Sequence, residues 1–88
     1  MNIRPGDWIE DKEVGCSDRI VLYQIMKVDY EKQRVYCRVY EVVNGIISEI
    51  THIFVKSSDM PYPPFPLGMF SRIYYEKVGL NDVLLRLI

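Results

Sequence analysis

Val42-Val43-Asn44-Gly45-Ile46-Ile47 is the stretch on which the fold turns. Asn-Gly tolerates the positive φ angles of a type I′ turn, whose twist matches that of two antiparallel strands. A two-residue loop there sets Val43 opposite Ile46, Val39 opposite Ile50, Cys37 opposite His52 and Val35 opposite Phe54. Upstream, Tyr30-Glu31-Lys32-Gln33 reads as a four-residue loop. It sets Asp29 opposite Arg34, Val28 opposite Val35, Met26 opposite Cys37 and Leu22 opposite Glu41. Three strands follow, Arg19 to Asp29, Arg34 to Val43 and Ile46 to Lys56, and residues 20–56 form a three-stranded meander.

Side chains alternate across a sheet. One face then collects Ile20, Leu22, Met26, Val28, Val35, Cys37, Val39, Val43, Ile46, Ile50 and Phe54, and reads as core. The other is mixed: Val21, Tyr23, Ile25, Val42, Ile47 and Ile53 stand among Arg34, Tyr36, Arg38, Tyr40 and Glu49. Asp29–Arg34 and Tyr40–Glu49 are the expected cross-strand pairs. A one-residue slip would exchange the two faces, so the assignment depends on the turns.

Outward from the meander, Pro5-Gly6-Asp7 is a turn and Trp8-Ile9-Glu10-Asp11-Lys12 a short first strand. Glu13 to Asp18 reads as a loop. Residues 57–68 form a proline-rich loop, in which Pro61, Pro63, Pro64 and Pro66 interleave with Tyr62 and Phe65. Proline donates nothing to a ladder, so an extended polyproline segment is expected. Met69 to Lys77 alternates enough for a fifth strand, which Gly79 ends. Asp82 to Ile88, capped by Asn81, reads as a short helix or a last strand.

Eighty-eight residues make one small domain, 1–88. A hydrophobic fraction of 49% and a charged fraction of 26% are ordinary for a globular chain. The net charge of −1 lacks the basic excess of a dedicated nucleic-acid binder and the acidic excess of a DNA mimic. Cys16 and Cys37, with no secretory pattern at the start, read as free thiols of a cytoplasmic protein. No stretch approaches the ~18 apolar residues of a membrane helix.

The Pro5-Gly6-Asp7-Trp8-Ile9 opening, the loop after strand one and the meander over 20–56 resemble a small SH3-like barrel of the Tudor and KOW group. The resemblance implies an all-β fold, a five-stranded barrel or strongly bent antiparallel sheet. That fold hosts many binding roles and by itself assigns none.

Candidate sites follow from the faces. Arg34, Tyr36, Arg38 and Tyr40 alternate along one strand, with Tyr23 beside them on the same face. Tyrosine and arginine are enriched in protein-interface hot spots, and the same residues stack on bases and pair with phosphates. The bland alternative is a solvated sheet face. The apolar neighbours favour a protein partner, or cover from the proline loop, the C-terminal segment or a second copy of the chain. Tyr62 and Phe65 form a secondary contact or a lid packed down over the barrel mouth. Cys37 and His52, opposite one another, read as a buried thiol beside a satisfied histidine. No spacing of Cys16, Cys37 and His52 supports zinc, and no cofactor motif is present. Glu10, Asp11, Glu13 and Asp18 form an acidic patch around Trp8, which either steers a basic partner or, as is usual for so short a charge run, is a solvated loop. The expected function is a non-enzymatic interaction domain, an inhibitor, adaptor or accessory subunit. The alternative is an RNA- or single-stranded-DNA-binding barrel using the same stripe, and homo-oligomerisation is a third course.

Overall fold

Asn44 and Gly45 take φ angles of 52° and 78°, the left-handed pair that a type I′ turn requires. This computed structural model describes residues 2–12, 19–56, 59–72 and 74–85. Cys16, the acidic loop residues Glu13 and Asp18, the Ser57-Ser58 strand end and the last three residues lie outside the described residues. The turn joins β3 (Arg34–Val43) to β4 (Ile46–Glu49) with Val43 opposite Ile46 and Tyr40 opposite Glu49, the expected register. The loop at 30–33 joins β2 (Arg19–Asp29) to β3, with Asp29 opposite Arg34 and Val28 opposite Val35, again as expected. The Asp29 carboxylate accepts the Lys32 N–H at 3.1 Å and so braces the loop instead of pairing with Arg34.

Before Lys27 the register departs from expectation. Lys27 faces Tyr36 and Ile25 faces Cys37, so Met26 is the extra residue of a β-bulge. Every β2 residue before it changes face. Leu22 stands opposite Tyr40, not Glu41. Val21, Tyr23 and Ile25 therefore join Val35, Cys37 and Val39 in the core, while Leu22 and Ile20 pass to the opposite face. The bulge lies where the N-terminal turn, remote in sequence, bonds to β2. The turn Arg4-Pro5-Gly6-Asp7 closes with the Asp7 N–H donating to the Arg4 carbonyl, and Gly6 takes a φ of 92° that suits glycine after proline. This turn grips Ile25 on both sides: the Gly6 N–H donates to its carbonyl at 2.7 Å and its N–H donates to the Asp7 carbonyl at 2.9 Å.

β1 (Trp8–Asp11) runs between β2 and β6 (Tyr75–Val78). The order is β4-β3-β2-β1-β6, with β5 (Pro64–Pro66) beside β3. The fold is thus all-β, a six-stranded antiparallel sheet that stays open, with β4 and β6 at its ends. It is a sheet and not a closed five-stranded barrel.

Three segments differ from expectation for identifiable reasons. β4 stops at Glu49, short of Lys56, because Thr51–Ile53 wind into a 3-10 turn. The proline segment is a strand where a free loop was expected. Cys37 donates its N–H to the Pro63 carbonyl and Leu67 donates to the Gln33 carbonyl. Phe65 faces Val35 in the same register, so the nitrogens of Pro64 and Pro66 fall between the ladder bonds, where no N–H is needed. Leu67–Ser71 form a second 3-10 turn, which leaves the strand expected from Met69 only Tyr75–Val78. The chain then enters α1 (Leu80–Leu85), which resolves the helix-or-strand alternative over its described part. Its cap is the Asp82 carboxylate, which accepts the Gly79 N–H at 3.2 Å, and not Asn81.

The main core lies on one face. Ile3, Ile9, Val21, Ile25, Val35, Cys37 and Val39 surround an aromatic cluster in which Tyr23 meets Phe65, Phe70 and Tyr75 edge-on at 5.4–6.0 Å. Such pairs contribute about 0.5–1.5 kcal/mol each beyond their buried area. The opposite face carries a smaller cluster: buried Leu22 and Val42 with Trp8, Ile20, Tyr40 and Val78.

Candidate functional site

Cross-strand register places the residues of the second face. Val42 lies between Ile20 and Ile47, and Tyr40 between Leu22 and Glu49. Arg38 lies beside Gln24, which faces Trp8, which faces Val78. Directly opposite residues share a face, so these side chains form one surface across five strands. The Trp8 and Tyr40 rings meet at 5.4 Å, tilted by 39°. The Tyr40 hydroxyl lies 3.4 Å from the Gln24 side-chain oxygen, to which it donates. Burial pushes the Tyr40 phenol upward from its ordinary value, partly opposed by the Arg38 charge.

Arg38 is held in place. Its Nε donates to Glu49 Oε1 at 3.1 Å and its Nη2 to Glu49 Oε2 at 2.8 Å, a two-pronged pair with the carboxylate. The guanidinium carbon also lies 5.5 Å from the centre of the Tyr40 ring. The Arg38 hydrogen bond holds the Glu49 carboxyl below its ordinary range. Next to this pair is a hollow of about 410 Å³ lined by Arg38, Glu49, Thr51, His52, Lys56, Pro61 and Tyr62.

The structure divides the expected stripe. Arg38 and Tyr40 stand together, half-exposed, and Tyr62 joins them through the hollow. Tyr23 does not belong there: the bulge turns it to the other face, where it is 8% exposed in the core. Tyr36 keeps the expected face but is 5% exposed, flanked by Lys27 and by Pro64 of β5. Arg34 is exposed at the far end of β3, beside a separate hollow with Lys32 and the Pro64–Pro66 strand. Phe65 packs its ring against Tyr23 and Phe54, which is the lid alternative and not a free contact.

Cys37 and His52 are not partners. The strand that would have aligned them ends at Glu49, and His52 sits exposed on the 3-10 turn. Cys37 is a free thiol, fully buried, and burial pushes its pKa up to about 12. Of the acidic patch, Glu10 is buried on the second face between Leu22 and Glu76, and so is not part of a solvated loop.

Trp8 and Ile47 were not among the expected contact residues. Trp8 enters only because the bulge brings Gln24 to its side, and nothing in the spacing of β1 signals that. Ile47 was legible, since the Asn-Gly register already puts it opposite Val42. Comparison with protein families, characterised proteins and solved structures finds no match to this chain.

Proposed function

We propose that this chain is a non-enzymatic cytoplasmic protein-interaction domain, an inhibitor, adaptor or accessory subunit, that binds through the second sheet face. The observation that carries this reading is the Trp8–Tyr40–Arg38 stack, flanked by apolar Val42, Ile20 and Ile47, the last 36% exposed. Tryptophan, tyrosine and arginine are the residues that dominate binding at protein interfaces. The pair with Glu49 supports protein contact over nucleic acid, because the Glu49 carboxylate sets a negative charge beside the guanidinium, which repels the closely spaced phosphates of a nucleic-acid backbone. The SH3-like resemblance of the Pro-Gly opening and the meander is compatible with a binding module, and stays part of the proposal.

The test is affinity capture from lysate of the native host, with nuclease, using the native chain and a Tyr40→Ala/Ile47→Ala variant whose fold is checked by circular dichroism. A protein captured in stoichiometric amount by the native chain, and held at least about tenfold less by the variant, is expected. Equal capture by both would remove this face from the reading. Capture that disappears with nuclease and falls steeply with salt would transfer the face to nucleic acid.

A further inference from the structure

The hollow beside Tyr40 has a charge pattern that the contact between Trp8 and Tyr40 does not explain. Arg38, His52 and Lys56 line it against a single carboxylate, Glu49. Arg38 gives that carboxylate one Nε–H and one Nη2–H. A guanidinium carries five N–H donors, so three remain, on a group already fixed by Glu49 and by the Tyr40 ring. Lys56 and His52 make no hydrogen bond or ion pair among the described residues. Lys56 is close enough to Glu49 to help hold its carboxyl below the ordinary range. Tyr62 also lines the hollow, with its hydroxyl close enough to Arg38 to interact with its charge.

We propose that this hollow receives a carboxylate, supplied by an acidic side chain of the protein partner. The inference rests on the reading of the neighbouring face as a protein-contact surface. The cations Arg38 and Lys56 against one carboxylate leave a single positive charge unbalanced. A monoanionic carboxylate neutralises it, whereas a phosphate dianion would leave an excess of negative charge beside Glu49. The planar fork of Arg38 also matches a second carboxylate in geometry, with Lys56 as a movable second donor and the Tyr62 hydroxyl as a neutral third. The partner would lay an apolar residue on Trp8 and Tyr40 and an acidic one a few residues away in the hollow.

The probes are N-acetylated, C-amidated hexaglutamate, the matching hexaglutamine, and inorganic phosphate, each titrated into the ¹⁵N-labelled chain and followed by two-dimensional NMR. Hexaglutamate is expected to shift the Thr51, His52 and Lys56 amides and the Arg38 Nε–H signal, and hexaglutamine is not. Lys56→Gln alters an exposed residue that holds no core position, and is expected to weaken the hexaglutamate response about three- to fivefold. No response at those signals, an unchanged response in Lys56→Gln, or tighter binding of phosphate than of hexaglutamate would each overturn the proposal. The two failures are separable. Loss of the hexaglutamate response with the Tyr40 and Ile47 capture effect intact defeats the carboxylate site and leaves the surface standing. Loss of the capture effect defeats the surface, and the carboxylate partner with it.

Discussion

The Thr51 side chain takes the place of a missing strand residue for Val39. Its Oγ1 accepts the Val39 N–H at 2.7 Å, in a buried position, while the Ile50 N–H donates to the Val39 carbonyl at 2.8 Å. β4 has ended by this point and β5 begins to serve β3 only near Cys37. One hydroxyl thus bridges the gap between the two edge strands that cover β3. Thr51→Val keeps the shape and removes the acceptor, leaving a buried N–H without a partner. It is expected to lower unfolding stability by about 1–3 kcal/mol, with Thr51→Ser losing less. Urea midpoints at unchanged m-value check this. A Thr51→Val protein as stable as the native chain would mean that water satisfies Val39.

Both hairpin loops hold residues in the left-handed region, and only one uses glycine there. Gly45 has open space where a Cβ would stand but a φ of 78°, so Gly45→Ala is expected to cost about 1–2 kcal/mol from backbone strain alone. Gln33 has a φ of 55° and retains a side-chain hydrogen bond to the Tyr30 carbonyl at 2.7 Å. Gln33→Gly relieves the strain, gives up that exposed bond and adds unfolded-state entropy, for a net gain of about 0.5 kcal/mol. Thermal midpoints moving in opposite directions for the two variants are the expected result. A Gly45→Ala midpoint equal to that of the native chain would contradict the turn assignment.

How much of this was legible depends on which contacts are local. Asn44-Gly45 and the loop at 30–33 carry their register in a few residues, and both hairpins close as that register requires. The bulge at Met26 was hidden because Ile25 and Met26 are both apolar. Either could face the core, and only the distant grip of Gly6 and Asp7 on Ile25 decides. That single insertion moved Tyr23 out of the candidate site and brought Trp8 and Leu22 towards it. The end of β4 was equally hidden, since Ile50, Ile53 and Val55 continue a strand-like composition while Thr51 leaves the ladder. Arg38 and Tyr40 survived as candidates because they lie on β3, whose faces the Asn-Gly turn controls directly.

The Arg38–Glu49 pair makes a defined contribution to acid sensitivity. The Arg38 hydrogen bond lowers the Glu49 pKa in the folded chain from an ordinary value of 4.5. A depressed carboxyl pKa stabilises the fold above the unfolded value and loses that effect as pH falls through the folded value. The stabilisation is therefore full at neutral pH and fades below about pH 4.5. Both side chains are more than a third exposed, so the pair contributes only about 0.2–1 kcal/mol. Glu49→Gln is expected to cost that amount at pH 7 and nothing at about pH 2.5, with the pH 7 difference shrinking at high salt. An equal difference at both pH values would show that the pair does not titrate with the fold.

Cys37 should behave as a reporter of opening and not as a reactive group. It is fully buried, and burial lifts its pKa from 9.0 to about 12, which leaves roughly a thousandfold less thiolate at neutral pH than an ordinary cysteine has. In a Cys16→Ser background, iodoacetamide at pH 8 is expected to leave Cys37 unmodified over hours in the folded chain. The rate should climb to that of a free thiol as urea passes the unfolding midpoint, since alkylation must await exposure of β3. Cys37 lies near the centre of that strand, with its N–H held by Pro63 and its thiol in the core that Phe65 of β5 helps to cover, so detachment of β5 is one route to its exposure. If Cys37 reacts well below the midpoint, part of the cover over the core face, with the Pro64–Pro66 strand the candidate, opens ahead of the sheet. If it tracks the midpoint, the proline segment is part of the cooperative core.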